Sequence, residues 1–173
     1  MRRDILLWPH PLLKQKAAPV LHVDARVRAL VEDLFETMYA AEGVGLAATQ
    51  VGVLERVLVL DTTSRQPHLQ PLAMVNPVIV AEEGEQVYAE GCLSLPGEVE
   101  DVARAAVVTV RYLDLQGQEQ SVRCEGLLSV AVQHELDHLD GIVFVDHVSV
   151  LKRELIRRRM KRRQAEREPR TGT

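Results

Sequence analysis

LLSVAVQHELDHLDG, residues 127–141, begins with six residues that offer no polar face and then sets two histidines and a glutamate into the same apolar run. The pattern predicts a buried helix from Leu127 to about Asp140, with Gly141 as its C′ residue. Residues four apart on an α-helix share one face, about 6 Å apart along the axis. His134 and His138 can therefore bind one metal ion from the same side. Glu135, beside the first histidine, can project toward a water held there. Two histidine ligands, an open position for water and a carboxylate to take its proton are the parts of a hydrolytic metal site. A charged surface helix carrying HExxH by chance would have a polar flank. LLSVAV has none, and interior charges are rare unless paired or metal-bound.

A catalytic site of this kind needs a third protein ligand. The extension HExxHxxGxxH has Gly141 in place, but Phe144 stands where its last histidine would be, which excludes the three-histidine protease version. Glu154 lies in the basic Leu151–Met160 segment, where a salt bridge to a neighbouring arginine suits it better. Asp146 and His147 follow the helix end and would have to fold straight back. Cys92, in EGCLSLP (90–96), has the best local context, between a strand and a proline and after Gly91, although a cysteine at a strand end is more often a small buried hydrophobe.

Working outward, Asp24 is a plausible N-cap for a helix to about Ala41, with Val27, Leu30, Val31, Leu34, Phe35 and Met38 on one buried face. RVLVLD (56–61) reads as a strand. MVNPVIVAEEGEQVYAEG (74–91) reads as two strands around Glu83-Gly84, with Pro77 implying an edge or a bulge. Residues 105–123 read as a hairpin turning at Gln116-Gly117. A last helix begins near Ser149 with Leu151, Leu155, Ile156 and Met160 as its inner stripe. Strands gathered mid-chain and flanked by helices predict an α+β fold: mixed, mainly antiparallel strands packed around a central buried helix carrying HExxH, with an N-terminal and a C-terminal helix.

At 173 residues, 46% hydrophobic and 27% charged, the chain reads as one domain, 1–173, with enough length for a real core. Aromatics at 3% leave that core to Leu, Val, Ile and Ala and argue against a base-stacking surface. ILLW (5–8) is too short for a signal-peptide core, and no segment approaches a membrane span. A cytoplasmic location is expected, with Cys92 and Cys124 as reduced thiols. The net charge of −4 hides an asymmetry. Residues 149–173 carry ten Lys/Arg against three Glu, a net +7, which leaves −11 on the rest. A basic extension on an acidic body predicts an anionic partner.

Three segments in order, GVGLAATQ (43–50), EGCLS (90–94) and QHELDH (133–138), resemble the signature motifs of the peptide deformylases, and the likeness runs through DHVSVLKRELIRR (146–158) over essentially the whole chain. A lone HExxH is weak evidence; three spaced motifs are specific. The resemblance implies an amidohydrolase that removes the formyl group from the formyl-methionine of new polypeptides. It implies Cys92, His134 and His138 as ligands of one divalent metal, Fe(II) in cells and Zn, Ni or Co in preparations. Glu135 becomes the general base. Gln50 and the backbone N–H of Leu93 become the oxyanion donors. Gly45 becomes the edge that pairs with the peptide, and Val44, Tyr88, Leu127, Val130 and Ala131 the methionine pocket. Arg104 becomes the partner of Asp137, supporting the ligand helix. The resemblance further implies docking of the basic C-terminal helix on the ribosome near the peptide exit. A monomer without membrane or DNA contact is expected. The pattern departs at Val99, where many bacterial members carry an arginine that holds the substrate backbone, and at Tyr88, bulkier than the usual aliphatic. Cys124 matches no ligand and reads as core. Two other classes remain distinct readings: an HExxH metallopeptidase, and an inactive ribosome-associated binding module.

Overall fold

Four consecutive residues, Val57 to Leu60, are wholly buried, which for a strand requires cover on both faces. In the computed structural model, which describes residues 1–167, that strand is β2 (Val57–Leu60), and the cover comes from two helices. Helix α1 (Ala25–Ala40) precedes β1 (Gly45–Ala47) and β2; then follow β3 (Leu72–Glu83), β4 (Gln86–Cys92), β5 (Leu95–Arg104), β6 (Val107–Leu113), β7 (Glu119–Glu125), α2 (Gly126–Leu139) and α3 (Val150–Arg167). Five strands form an antiparallel sheet in the order β1-β2-β3-β6-β7, and β4 with β5 form a separate antiparallel hairpin. The architecture is α+β, with antiparallel sheets and three α-helices among the described residues.

Strand periodicity sorts the core. Val57 and Val59 face α1 and pack with Val27, Leu30, Val31, Leu34 and Met38. Leu58 and Leu60 face the other way, toward Leu128, Ala131, Val132, Leu136 and Leu139 of α2. Asp24 caps α1 by accepting the Val27 N–H at 3.0 Å, while Phe35 is only partly buried. The entry to α2 is tied to the β2–β3 loop: the Leu128 N–H donates to Gln66 Oε1 at 3.1 Å, and Gln66 Nε2 donates to the Glu125 carbonyl at 3.1 Å. Cys124 is fully buried in the α2 cluster. Pro77 sits within β3 at a register shift between Val75 and Val78, so its missing N–H falls where the ladder is already broken.

Two expectations need correction. The inner stripe of α3 is narrower than its sequence suggested: Ile156 and Met160 are buried, but Leu151 and Leu155 are 71% and 42% exposed. The third core cluster, which joins Trp8, Leu13, Leu95 and Phe144 to α3, takes the 156/160 pair. Residue 155 is rotated about 100° from it and residue 151 about 140°. Strands β1 and β5 also have no counterpart in the sequence reading. Of the basic 149–173 extension, residues 168–173, including Arg170, lie outside the described residues.

Candidate active site

Two elements meet at the donor cluster. His134 and His138 project from consecutive turns of that helix, and Cys92 comes from the last position of β4. Their donor atoms lie within 4.8 Å of one another. His134 Nε2 and His138 Nε2 are 3.2 Å apart, and Cys92 Sγ is 3.3 Å from His138 Nε2. Those separations suit the edges of a tetrahedron around a divalent ion, roughly 3.3–3.6 Å for metal–nitrogen bonds near 2.0 Å and a metal–sulfur bond near 2.3 Å. Burial resists charge on His134, yet its contacts with Cys92 and Glu90 raise its pKa well above the usual histidine value. Burial, then the neighbouring His134 and Arg104, hold His138 well below it. One thiol and two imidazoles with donor atoms within 4.8 Å of one another form a donor set that fits zinc or ferrous iron.

Glu90 supplies what the ligand helix needs from outside. Its Oε1 lies 2.9 Å from His134 Nδ1, so a proton on Nδ1 leaves the Nε2 lone pair facing Cys92 and His138. Arg104 grips the same carboxylate through Nε at 2.7 Å and Nη2 at 2.9 Å, and reaches Asp137 through Nη1 at 2.6 Å. Burial alone would lift the Glu90 pKa, but Arg104 and His134 keep it below the usual carboxylate range. Asp137 is less buried than the apolar flank suggested, with 21% of its side chain exposed, and it also meets His147 at 2.8 Å. His147 therefore does fold back to the helix, though to Asp137 and not to the three donors. Glu154 pairs with Arg157 at 3.3 Å within α3.

Glu135 differs from every other carboxylate here. It is buried, its Oε2 has no partner among the described residues, and burial pushes its pKa up to about 7. It lies against Gly45 of β1, where a Cβ would come 2.8 Å from Oε1 and 3.0 Å from Cγ. Only glycine allows that approach. Gln50, in the short 3-10 turn after β1, is held from both ends: its Oε1 accepts the Ala47 N–H at 3.0 Å, and its Nε2 donates to Ser94 Oγ at 3.1 Å. That leaves Nε2 3.7 Å from Cys92 Sγ. Leu93 lies in the two-residue turn between β4 and β5, where Cys92 pairs with Leu95.

A cavity of about 660 Å³ opens over these groups. Val44, Gly45, Tyr88, Cys92, Leu93, Leu127, Val130, Ala131, His134 and Glu135 all line it. Leu127, Val130, Ala131 and His134 follow the three-and-four spacing of one helix face, so the apolar wall runs along α2 to the donor cluster. Val99 lines the rim and is exposed.

The profile of the family described as Polypeptide deformylase matches residues 2–154. The chain belongs to the polypeptide deformylase family. Among its deformylase relatives, the peptide deformylase of Alkalilimnicola ehrlichii is 51% identical over 159 residues, covering 92% of this chain and 89% of that one. The peptide deformylase of Rhizobium meliloti is 48% identical over 158 residues, 91% of each. The crystal structure of a peptide deformylase from Legionella pneumophila superposes with a TM-score of 0.90 at 43% identity, over 98% of this chain and 100% of that one. That of Ehrlichia chaffeensis peptide deformylase in complex with actinonin gives 0.89 at 35% identity, over 97% and 99%.

Beyond the expected deformylase residues, the fold adds three groups that sequence reading left without a role. Glu90 carried a usable signal: it is two residues from Cys92, and strand alternation puts both on one face. Arg65, which donates to the Tyr88 hydroxyl at 2.7 Å at the cavity wall, had none. Glu98, which α3 reaches with two arginines, had none either.

Proposed function

We propose that this chain removes the formyl group from the formyl-methionine at the start of new polypeptides, releasing formate. The observation that carries the reading is Glu135, a buried carboxylate with a free oxygen beside the Cys92/His134/His138 cluster, at the end of an apolar-walled cavity in a deformylase-family chain. A divalent ion held by those three residues would supply Lewis acidity, polarising the formyl carbonyl and acidifying a water. Fe(II) is the ion we assign in cells, with Zn, Ni or Co in preparations; one thiolate and two imidazoles accept all four.

The protein groups divide the rest of the work. Glu135 takes a proton from the attacking water as the new C–O bond forms at the formyl carbon, then gives it to the methionine nitrogen as the C–N bond breaks. A carboxyl lifted toward neutrality by burial is matched to both halves of that exchange. The tetrahedral oxyanion is received by Gln50 Nε2 and the Leu93 N–H; the bonds that fix the Gln50 amide before substrate arrives support this role. Val44, Tyr88, Leu127, Val130 and Ala131 enclose the methionine side chain, and the Gly45 backbone pairs with the extended peptide.

We read residues 1–173 as one catalytic unit centred on the HELDH helix, with 149–173 a basic extension that docks on the ribosome near the peptide exit. A cytoplasmic monomer acting on nascent chains fits that assignment, and no helix among the described residues is long and apolar enough to cross a membrane. The deciding experiment is formate release from formyl-Met-Ala-Ser against its unformylated and acetylated counterparts, with metal content measured on the same anaerobic sample. Formate from the formylated peptide alone is the expected result. Peptide-bond cleavage would favour a metallopeptidase, and no formate with metal fully loaded would leave only a binding role.

A further inference from the structure

One wall of the catalytic cavity belongs to the main sheet at Gly45, with Gly43 and Val44 leading into it; the facing wall, Gly91 to Val99, belongs to the β4–β5 hairpin, whose strands pair only with each other. What steadies that second wall is α3. Glu98 lines the cavity with 5% of its side chain exposed, and it accepts from Arg159 Nε and Nη2, each at 2.9 Å, and from Arg163 Nη1 at 2.9 Å. The same Nη1 donates to the Pro96 carbonyl at 2.7 Å. The Arg163 guanidinium lies against Gly97, where a Cβ would come within 3.2 Å. Nearer the start of α3, Arg157 sits 4.7 Å above the Trp8 ring, and the Trp8 N–H donates to the Ser94 carbonyl at 2.9 Å. Ser94, Pro96, Gly97 and Glu98 are thus each held by α3 or by the tryptophan beneath it. The family match ends at Glu154, so Arg157, Arg159 and Arg163 all lie beyond it.

We infer that Arg159 and Arg163 are positioning residues for the deformylase reaction: through Glu98 and the Pro96 carbonyl they fix the Leu95–Val99 rim that grips the peptide beyond its formyl-methionine. The inference rests on the function proposed above. Two guanidinium forks on one buried carboxylate make a stiff joint, because each planar fork fixes direction as well as distance. Stiffness matters at this rim because Val99 offers a passing peptide no side-chain donor. Recognition there falls to the backbone, which works only if the strand is held in register. With the joint cut, the hairpin must be ordered at each binding event, and that cost appears in KM for substrates long enough to touch it. Glu135 and the three donors stand on α2 and at the end of β4, and Leu93 lies in the turn before the rim; the two arginines bond to none of them, so the chemical step is spared.

The test compares formyl-Met-Ala-Ser with formyl-methionine amide, which stops short of the rim, in the full-length metal-loaded protein. For the double variant Arg159→Gln/Arg163→Gln, KM for the tripeptide should rise about tenfold, while kcat, and both constants for the short substrate, stay within about twofold. Arg159→Lys/Arg163→Lys should recover part of the loss. Arg158→Gln/Arg162→Gln removes equal charge from α3 and should leave the ratio of the two KM values where it was. Amide hydrogen exchange supplies a readout without turnover: residues 95–99 should exchange faster in the Gln variant and α2 should not. If the double variant fails to fold, Arg163→Gln alone reads the same ratio. Equal effects on both substrates, no shift in the ratio, or unchanged exchange at 95–99 would overturn the inference. No formate from the wild-type protein, with the exchange effect still present in the Gln variant, would instead refute the deformylase reading.

Discussion

Glu135 and Gly45 touch so closely that a single methyl group decides whether the carboxylate keeps its position. Gly45→Ala should push Glu135 aside, and since a displacement near 1 Å can cost about 100-fold, kcat/KM should fall by about 10- to 100-fold with the fold intact by circular dichroism. Glu135→Gln keeps the shape and removes the base: metal content should stay near that of the wild type while kcat drops by about 10²- to 10⁴-fold. A substantially active Gln variant would refute the assigned base. Glu90 acts one bond further out, on His134 Nδ1. Glu90→Gln should weaken metal binding by about 10- to 100-fold in chelator competition, because the imidazole loses its charged acceptor and the amide can no longer take both bonds from Arg104. All three effects concern single contacts, and only the position of Glu135 beside the first histidine was legible in the linear sequence.

At the scale of elements, the joint between α3 and β5 has a definite pH dependence. The Arg159 guanidinium foremost, against the cost of burial, and then Arg163 hold the Glu98 pKa below the usual carboxylate range. A carboxyl whose pKa is depressed by folding adds stability above its unfolded value and gives it up as pH falls through the folded value. The joint should therefore be intact at neutral pH and weaken as the solution is acidified below about pH 4. Thermal unfolding followed through Trp8, the chain's one tryptophan, reports on this region directly, since Arg157 lies over its ring. Glu98→Gln should flatten the acid limb of the Tm profile; an unchanged slope would show that the joint contributes nothing. The helices were the more legible elements, because α1 and α2 each bury a stripe whose period is local to the chain. Strand β5 was not, since SLPGEVEDVAR mixes glycine, proline and acids, and its pairing with β4 arises from a turn at Leu93-Ser94 that no periodicity announces.

The whole molecule carries its charge unevenly, +7 on residues 149–173 against −11 elsewhere. A contact with ribosomal phosphates through this extension should weaken steeply with salt, log K falling linearly with log salt concentration at a slope set by the number of phosphates neutralised. Binding that persists after truncation beyond Leu151 would remove the reading. The truncation also deletes Ile156 and Met160 from the third core cluster, so loss of binding counts only if the shortened protein is shown to be folded. Charge asymmetry is visible in composition. Which arginines of α3 face outward and which are spent on Glu98 is not, because that depends on the rotation of the helix against the hairpin.

The linear sequence by itself determined the ligand helix, the stripe of α1, the strand at 56–61 and the likeness of three motifs to one family. Each is a matter of short-range spacing, and helical or strand geometry turns such spacing directly into a shared face. Only the tertiary structure decided that Cys92, 42 residues before His134, closes the donor cluster. It also decided that Glu90 stands between Arg104 and His134, that Leu151 and Leu155 stay outside the core, and that α3 reaches the cavity rim. The physical reason is the same in each case. These contacts join residues from separate elements, so they are fixed by how the elements pack, and the chain between them carries no record of that packing.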